Sequence, residues 1–133
     1  MNNLIPIVMT ENEIGTIIVD SAIEVHTHVG PGLLESAYQK CIVHELENRG
    51  LIVLEEVGLP LRYKGIKLNC GYRLDLLVNQ KVIVEIKTVN SLLDIHKAQL
   101  LTYLKLKSCK LGYLLNFKSS RMRYGIKRMV NEL

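Results

Sequence analysis

The stretch Tyr72-Arg73-Leu74-Asp75-Leu76-Leu77-Val78, Asn79-Gln80-Lys81, Val82-Ile83-Val84-Glu85-Ile86-Lys87-Thr88 decides the fold. Two apolar runs flank a few polar residues, the pattern of a β-hairpin. Neither run keeps a polar face, so both faces are expected to be covered, as in the central strands of layered α/β folds. Charges in such strands need a reason. Side chains alternate with period two, which sets Leu74, Leu76 and Val78 on one face and, on the partner, Val82, Val84 and Ile86. A three-residue loop places Val78 opposite Val82 and Asp75 opposite Glu85. A two-residue turn would instead pair Asp75 with Val84 and mix charge into the apolar layer. The hydrophobic pattern therefore selects the register that gathers Asp75, Glu85 and Lys87.

Adjacent carboxylates repel unless a cation lies between them or one takes up a proton. A hard divalent ion such as Mg2+ answers this, since it prefers oxygen ligands. Lys87, two residues beyond Glu85, shares its face, where it would orient an attacking water and stabilise charge on a phosphoryl group. The competing reading is a buried cluster of Asp–Lys and Arg–Glu ion pairs, a costly route to stability.

On the N-terminal side, Ile14, Ile17, Ile18, Ala22 and Val25 form one helical stripe over residues 11–28, opened by a Thr10/Glu13 capping box. Val29-Gly30-Pro31-Gly32 interrupts it as a structural turn. A second helix is expected from about Leu33 to Arg49, closed at Gly50. Strands follow at 51–57, 59–63 and 66–68, with Lys64-Gly65 as a turn. Beyond the hairpin come a helix over 92–107, a buried strand over 111–117 and a basic tail from Lys118, which either follows a nucleic-acid backbone or is a solvated, partly frayed end. This order predicts an α/β three-layer sandwich, a mixed central sheet flanked by helices.

The chain has 133 residues, 48% of them hydrophobic and 23% charged. That is the size of one domain, 1–133, able to bury a core without disulfides. No apolar run approaches the length of a membrane span, and the N-terminus has no basic segment or cleavage site of a secretory leader, so a cytoplasmic protein without membrane partners is expected. Cys41, Cys70 and Cys109 have no CxxC spacing and read as reduced core thiols. The net charge of +4 conceals a polarity. Residues 1–60 hold nine acidic and two basic side chains; residues 61–133 hold 15 basic and four acidic. The basic part invites a polyanion. The same asymmetry would also allow a homodimer, acidic half against basic half.

Asp75…Glu85-Ile86-Lys87 resembles the core motif of the PD-(D/E)XK nuclease superfamily, with Arg73-Leu74-Asp75 where Pro-Asp often stands. Gly32-Leu33-Leu34-Glu35-Ser36-Ala37-Tyr38 is similar to the signature of the GxxExxY family, and Gln99-Leu100-Leu101-Thr102-Tyr103 resembles the QxxxY motif of RecB-like nucleases. The resemblance implies a restriction endonuclease-like fold and phosphodiester hydrolysis of nucleic acid, DNA ahead of RNA, with Mg2+ or Mn2+. It implies metal ligation by Asp75, Glu85, the Ile86 carbonyl and Glu35, and assistance to the nucleophile by Lys87. It also implies substrate contacts from Gln99, Tyr103, Tyr38 and Arg73. A nuclease-like accessory protein that binds without cutting is the alternative.

Overall fold

The computed structural model describes residues 8–133, and the leader-free reading of the first seven lies outside it. Helix α1 (Glu11–Val29) opens with the expected capping box: the Glu13 amide donates to Thr10 Oγ1 at 3.2 Å, and the Thr10 amide donates to Glu13 Oε1 at 3.0 Å. Helix α2 (Glu35–Asn48) ends in a Schellman motif. Gly50, at φ +87°, donates to the Glu47 carbonyl, and Leu51 to that of Leu46. The strands are β1 (Val53–Gly58), β2 (Leu61–Tyr63), β3 (Ile66–Leu68), β4 (Arg73–Val78) and β5 (Val82–Lys87). Helix α3 (Asp94–Lys107), β6 (Leu111–Asn116), the short α4 (Met122–Gly125) and β7 (Ile126–Val130) complete the order.

Five strands form one mixed sheet in the order β1-β4-β5-β6-β7, while β2 and β3 pair only with each other. Among the described strands only β5 and β6 run parallel, joined by a crossover through α3. Two apolar layers cover the sheet. On one face Ile14, Ile18, Tyr38, Ile42 and Leu46 from α1 and α2 pack on Leu76, Val78, Val82, Val84 and Ile86. On the other, Leu100 and Leu104 of α3 pack on Leu74, Leu77, Ile83 and Leu114. Each fully buried aliphatic side chain contributes about 1.5–3 kcal/mol. Val82 to Ile86 are all buried, as central position demands. No helix among the described residues is long and apolar enough to cross a membrane.

The hairpin uses the three-residue loop: Val78 pairs with Val82, Leu77 with Ile83 and Leu76 with Val84. Asn79 and Gln80 take left-handed backbone angles to close it. Three expectations are corrected. Leu74 does not share a face with Leu76 and Val78, because the alternation breaks at Asp75. The basic tail is not a frayed end: it forms α4 and β7, the latter antiparallel to β6, with Lys127 and Arg128 exposed on the sheet's edge. Charge on an edge strand blocks further pairing, so this basic run suits its place. Of the cysteines only Cys109 is buried; Cys70 is exposed.

Candidate active site

At Asp75 the sheet opens on both sides. Pairing of β4 with β5 ends at Leu76 and Val84, and where the next pair would stand the side chains take over the bonding. The Asp75 amide donates to Glu85 Oε2 at 2.7 Å, and the Ile86 amide donates to Asp75 Oδ2 at 2.8 Å. Each carboxylate is thus anchored through one oxygen to the opposite strand. Asp75 Oδ1 and Glu85 Oε1 have no hydrogen bond among the described residues. The Ile86 carbonyl leaves β5 on the same edge as its amide, so it faces the same opening.

The pairing of β1 with β4 also skips this level. Glu55 pairs with Leu76 and Val57 with Leu74, leaving Glu56 opposite Asp75. Glu56 sits at φ +52°, a left-handed angle that costs a non-glycine residue about 1 kcal/mol or more. The kink turns the strand over: Val53 packs with the α1/α2 layer, Val57 with the α3 layer. The same break re-aims Leu74. Three acids, Glu56, Asp75 and Glu85, therefore stand at one level of three adjacent strands.

Burial dominates the electrostatics. Glu85 is 5% exposed. Desolvation, and next the charge of Asp75, push its carboxyl up to about 8, against the pull of the Asp75 amide and of Lys87. Asp75 is raised too, by desolvation first; the Ile86 amide opposes this, while Glu56 and Glu35 add to it. Lys87 is half-buried and lies close enough to act on both acids. The three ion pairs among the described residues are His28–Glu24, Lys40–Glu55 and Arg49–Glu45, none at this opening. The ion-pair cluster is thus not what is built. One buried and one half-buried carboxylate without a paired cation are a site that accepts protons or a metal ion.

The flanking residues divide. Glu35, exposed in the first turn of α2, bears on Asp75 through its charge, and Gln39, one turn on, donates to Glu56 Oε1 at 3.0 Å. Tyr103 is 6% exposed beneath the acids, and burial, then Glu85, hold its hydroxyl proton more tightly than usual. Gln99 and Arg73 are exposed, Arg73 two residues before Asp75 on β4 and Gln99 in a groove beside Tyr72 and Tyr103. Tyr38 does not fit the expected substrate contact. It is fully buried, stacked on Phe117 at 4.5 Å, and its hydroxyl donates to the Gly30 carbonyl and accepts from the Leu33 amide at 3.1 Å. It holds the turn that aims α2. His96 is spent on the start of α3, its Nδ1 accepting from the Leu93 amide.

Sequence reading missed three residues here. Glu56 was signalled by two consecutive acids, Glu55-Glu56, which an alternating strand cannot keep on one face. Gln39 follows Glu35 at i+4. Asn116, buried opposite Lys87, donates its amide to the Val89 carbonyl at 2.9 Å and accepts from the Val89 N–H at 3.1 Å, fixing the chain just beyond Lys87. Its only sequence signal is an amide ending an apolar strand.

Among the described residues no group of three or more His, Cys, Asp or Glu side chains closes to metal-site distances. The donors on hand are the free oxygens of Asp75 and Glu85 and the Ile86 carbonyl. This all-oxygen, sparse set fits Mg2+ or Mn2+, ions that keep several waters, and does not fit a zinc-type cage.

The family model for the PD-(D/E)XK nuclease superfamily matches residues 12–129. A solved structure titled "Crystal structure of SSO0001" is similar at a TM-score of 0.50 and 19% identity, over 90% of this chain. The chain spans 66% of the length of that structure. No curated protein matches. The mixed five-stranded sheet between its helical layers is consistent with the restriction endonuclease-like fold expected from the sequence.

Proposed function

We propose that this chain, which belongs to the PD-(D/E)XK nuclease superfamily, hydrolyses phosphodiester bonds of nucleic acid, DNA first, with a bound Mg2+ or Mn2+. Within the superfamily we assign it to the GxxExxY group on Gly32, Glu35 and Tyr38. The observation that carries the reading is the reciprocal anchoring of Asp75 and Glu85, which leaves one oxygen of each free and fixed in position. Preorganised carboxylates cost no rearrangement when a cation arrives.

Asp75 Oδ1, Glu85 Oε1 and the Ile86 carbonyl would hold the ion, with Glu35 reaching it through water. When bound, such an ion polarises the phosphoryl group and makes its water a nucleophile near neutral pH. Lys87, unpaired among the described residues, donates to the attacking water or a phosphoryl oxygen. Gln99 and Tyr103 offer neutral hydrogen bonds that position the substrate backbone without adding charge. Every residue in these roles comes from one chain, so a second copy is not needed for the chemistry. A non-cutting, nucleic-acid-binding role is favoured by one observation, that among the described residues no three acids stand close enough together to share a metal ion. Cleavage of labelled DNA and RNA with Mg2+, Mn2+ or EDTA separates the two. Metal-dependent cleavage that is lost in Asp75→Asn and Lys87→Ala supports the nuclease; cleavage unchanged in both contradicts it.

A further inference from the structure

Beside the acids, on the α3 face, lies a groove of about 300 Å3, of which the hydrolytic reading uses only Gln99 and Tyr103. Its walls include Leu61 from the β2–β3 arm, Tyr72 just before β4, and Ile95, Gln99, Tyr103 and Leu106 from α3. It lies at the small end of ligand pockets and is mostly apolar. Tyr72 is 44% exposed, and its ring lies 6.3 Å from that of Tyr103 at 56°. The Tyr72 backbone is not loose: its carbonyl accepts from the Leu59 amide at 2.8 Å, just before β4 begins. Asp75 follows three residues later, about 10 Å along an extended strand.

The arm that supplies one wall stands apart from the main sheet. It carries Arg62, Lys64 and Lys67 and no acid between residues 57 and 74, and Tyr63 and Ile66 are more than half exposed. Arg73 extends the basic run to the opening. An apolar, tyrosine-walled groove edged by cations and continuous through Tyr103 with a phosphodiester site matches one ligand chemistry. A nucleotide has a flat π-face for a tyrosine ring, polar edges for the free Gln99 amide, and phosphates for the cations. In a closed duplex that face is covered by the neighbouring base pairs, so only an unpaired nucleotide offers it.

We infer that this groove takes an unpaired base of the strand to be cut, with Tyr72 as the stacking platform. The substrate class is thus single-stranded or locally unpaired nucleic acid. This deepens the hydrolytic reading and rests on it for the position of the scissile phosphate.

Binding of the full chain to a fluorescent single-stranded oligonucleotide and to its duplex, measured by anisotropy in EDTA, tests the groove without cleavage. Wild type is expected to prefer the single strand. Tyr72→Ala is expected to weaken single-strand binding by about tenfold, Tyr72→Phe to keep it, and neither to change duplex binding. Ile95→Glu, at an exposed rim position, is expected to weaken single-strand binding as well. Duplex bound as tightly as single strand, or Tyr72→Ala and Ile95→Glu binding like wild type, overturns the inference. Cleavage by wild type and Asp75→Asn, run alongside, keeps the two readings apart. Asp75-dependent cleavage with no Tyr72 effect defeats the groove alone, and a Tyr72 effect with Asp75-independent cleavage defeats the hydrolytic centre alone.

Discussion

The two ends of the β4–β5 pair are built to opposite rules. At the turn end, Val78 faces Val82 and Leu77 faces Ile83; every side chain is buried and apolar, and the pairing is continuous. At the other end, Asp75 and Glu85 take the place of ladder hydrogen bonds, Glu56 bends the neighbouring strand, and the Glu85 carboxyl is buried without an ion-pair partner. The same two strands thus hold the sheet together at one end and give up stability at the other. A sheet can tolerate such a breach only where the rest of its length is well packed.

Substitutions should separate the two ends. The largest effect is expected at the open end: Glu85→Gln or Lys87→Ala should lower metal-dependent cleavage by about 100- to 1,000-fold while the protein stays folded. At the closed end, Leu77→Ala should cost about 2–5 kcal/mol in a urea titration, with cleavage by the folded fraction kept. The reverse pattern would break the comparison.

The pH response should distinguish them too. The folded protein raises Glu85 from 4.5 to about 8, so between these values the native state holds a proton that the unfolded chain has released. Metal-free stability should therefore fall as pH rises through that window, and Asp75, also raised, adds in the same direction. Glu85→Gln should flatten the fall, and added Mg2+ or Mn2+ should oppose it most at the alkaline end. Urea midpoints near both ends of the window, with and without metal, measure this. A smaller effect is expected at Tyr38: Tyr38→Phe leaves the Leu33 amide and Gly30 carbonyl without their partner and should cost about 1–3 kcal/mol, with little change in cleavage by folded protein. Smallest is Glu56→Gly, which relieves the left-handed strain and should change stability by about 1 kcal/mol or less, in the stabilising direction.

The closed end was legible in the sequence because period two and one turn length determine it: the register of Val78 with Val82 follows from keeping the apolar face apolar. The pairing of Asp75 with Glu85 followed from the same argument. Reciprocal anchoring did not, because a side chain that replaces a backbone bond leaves no periodic trace. Glu56 was missed for a related reason. Its role depends on a backbone angle that breaks the alternation by which strands are read, and the same break misplaced Leu74. Tyr38 shows the converse error. Its position in a motif suggested substrate, but the turn at Gly30 needed a buried hydroxyl, and only the fold reveals that demand. The tail misled because Ile126 to Val130 forms a basic edge strand, whose charges resemble those of a solvated end.

The central claim is that the free oxygens of Asp75 and Glu85 are poised for one divalent ion. A crystal soaked in Mn2+ and measured for anomalous scattering tests it most directly. The account predicts a peak between Asp75 Oδ1 and Glu85 Oε1, within reach of the Ile86 carbonyl and absent in Asp75→Asn. Saturating Mn2+ with no peak there, or a peak that persists in Asp75→Asn, would contradict it.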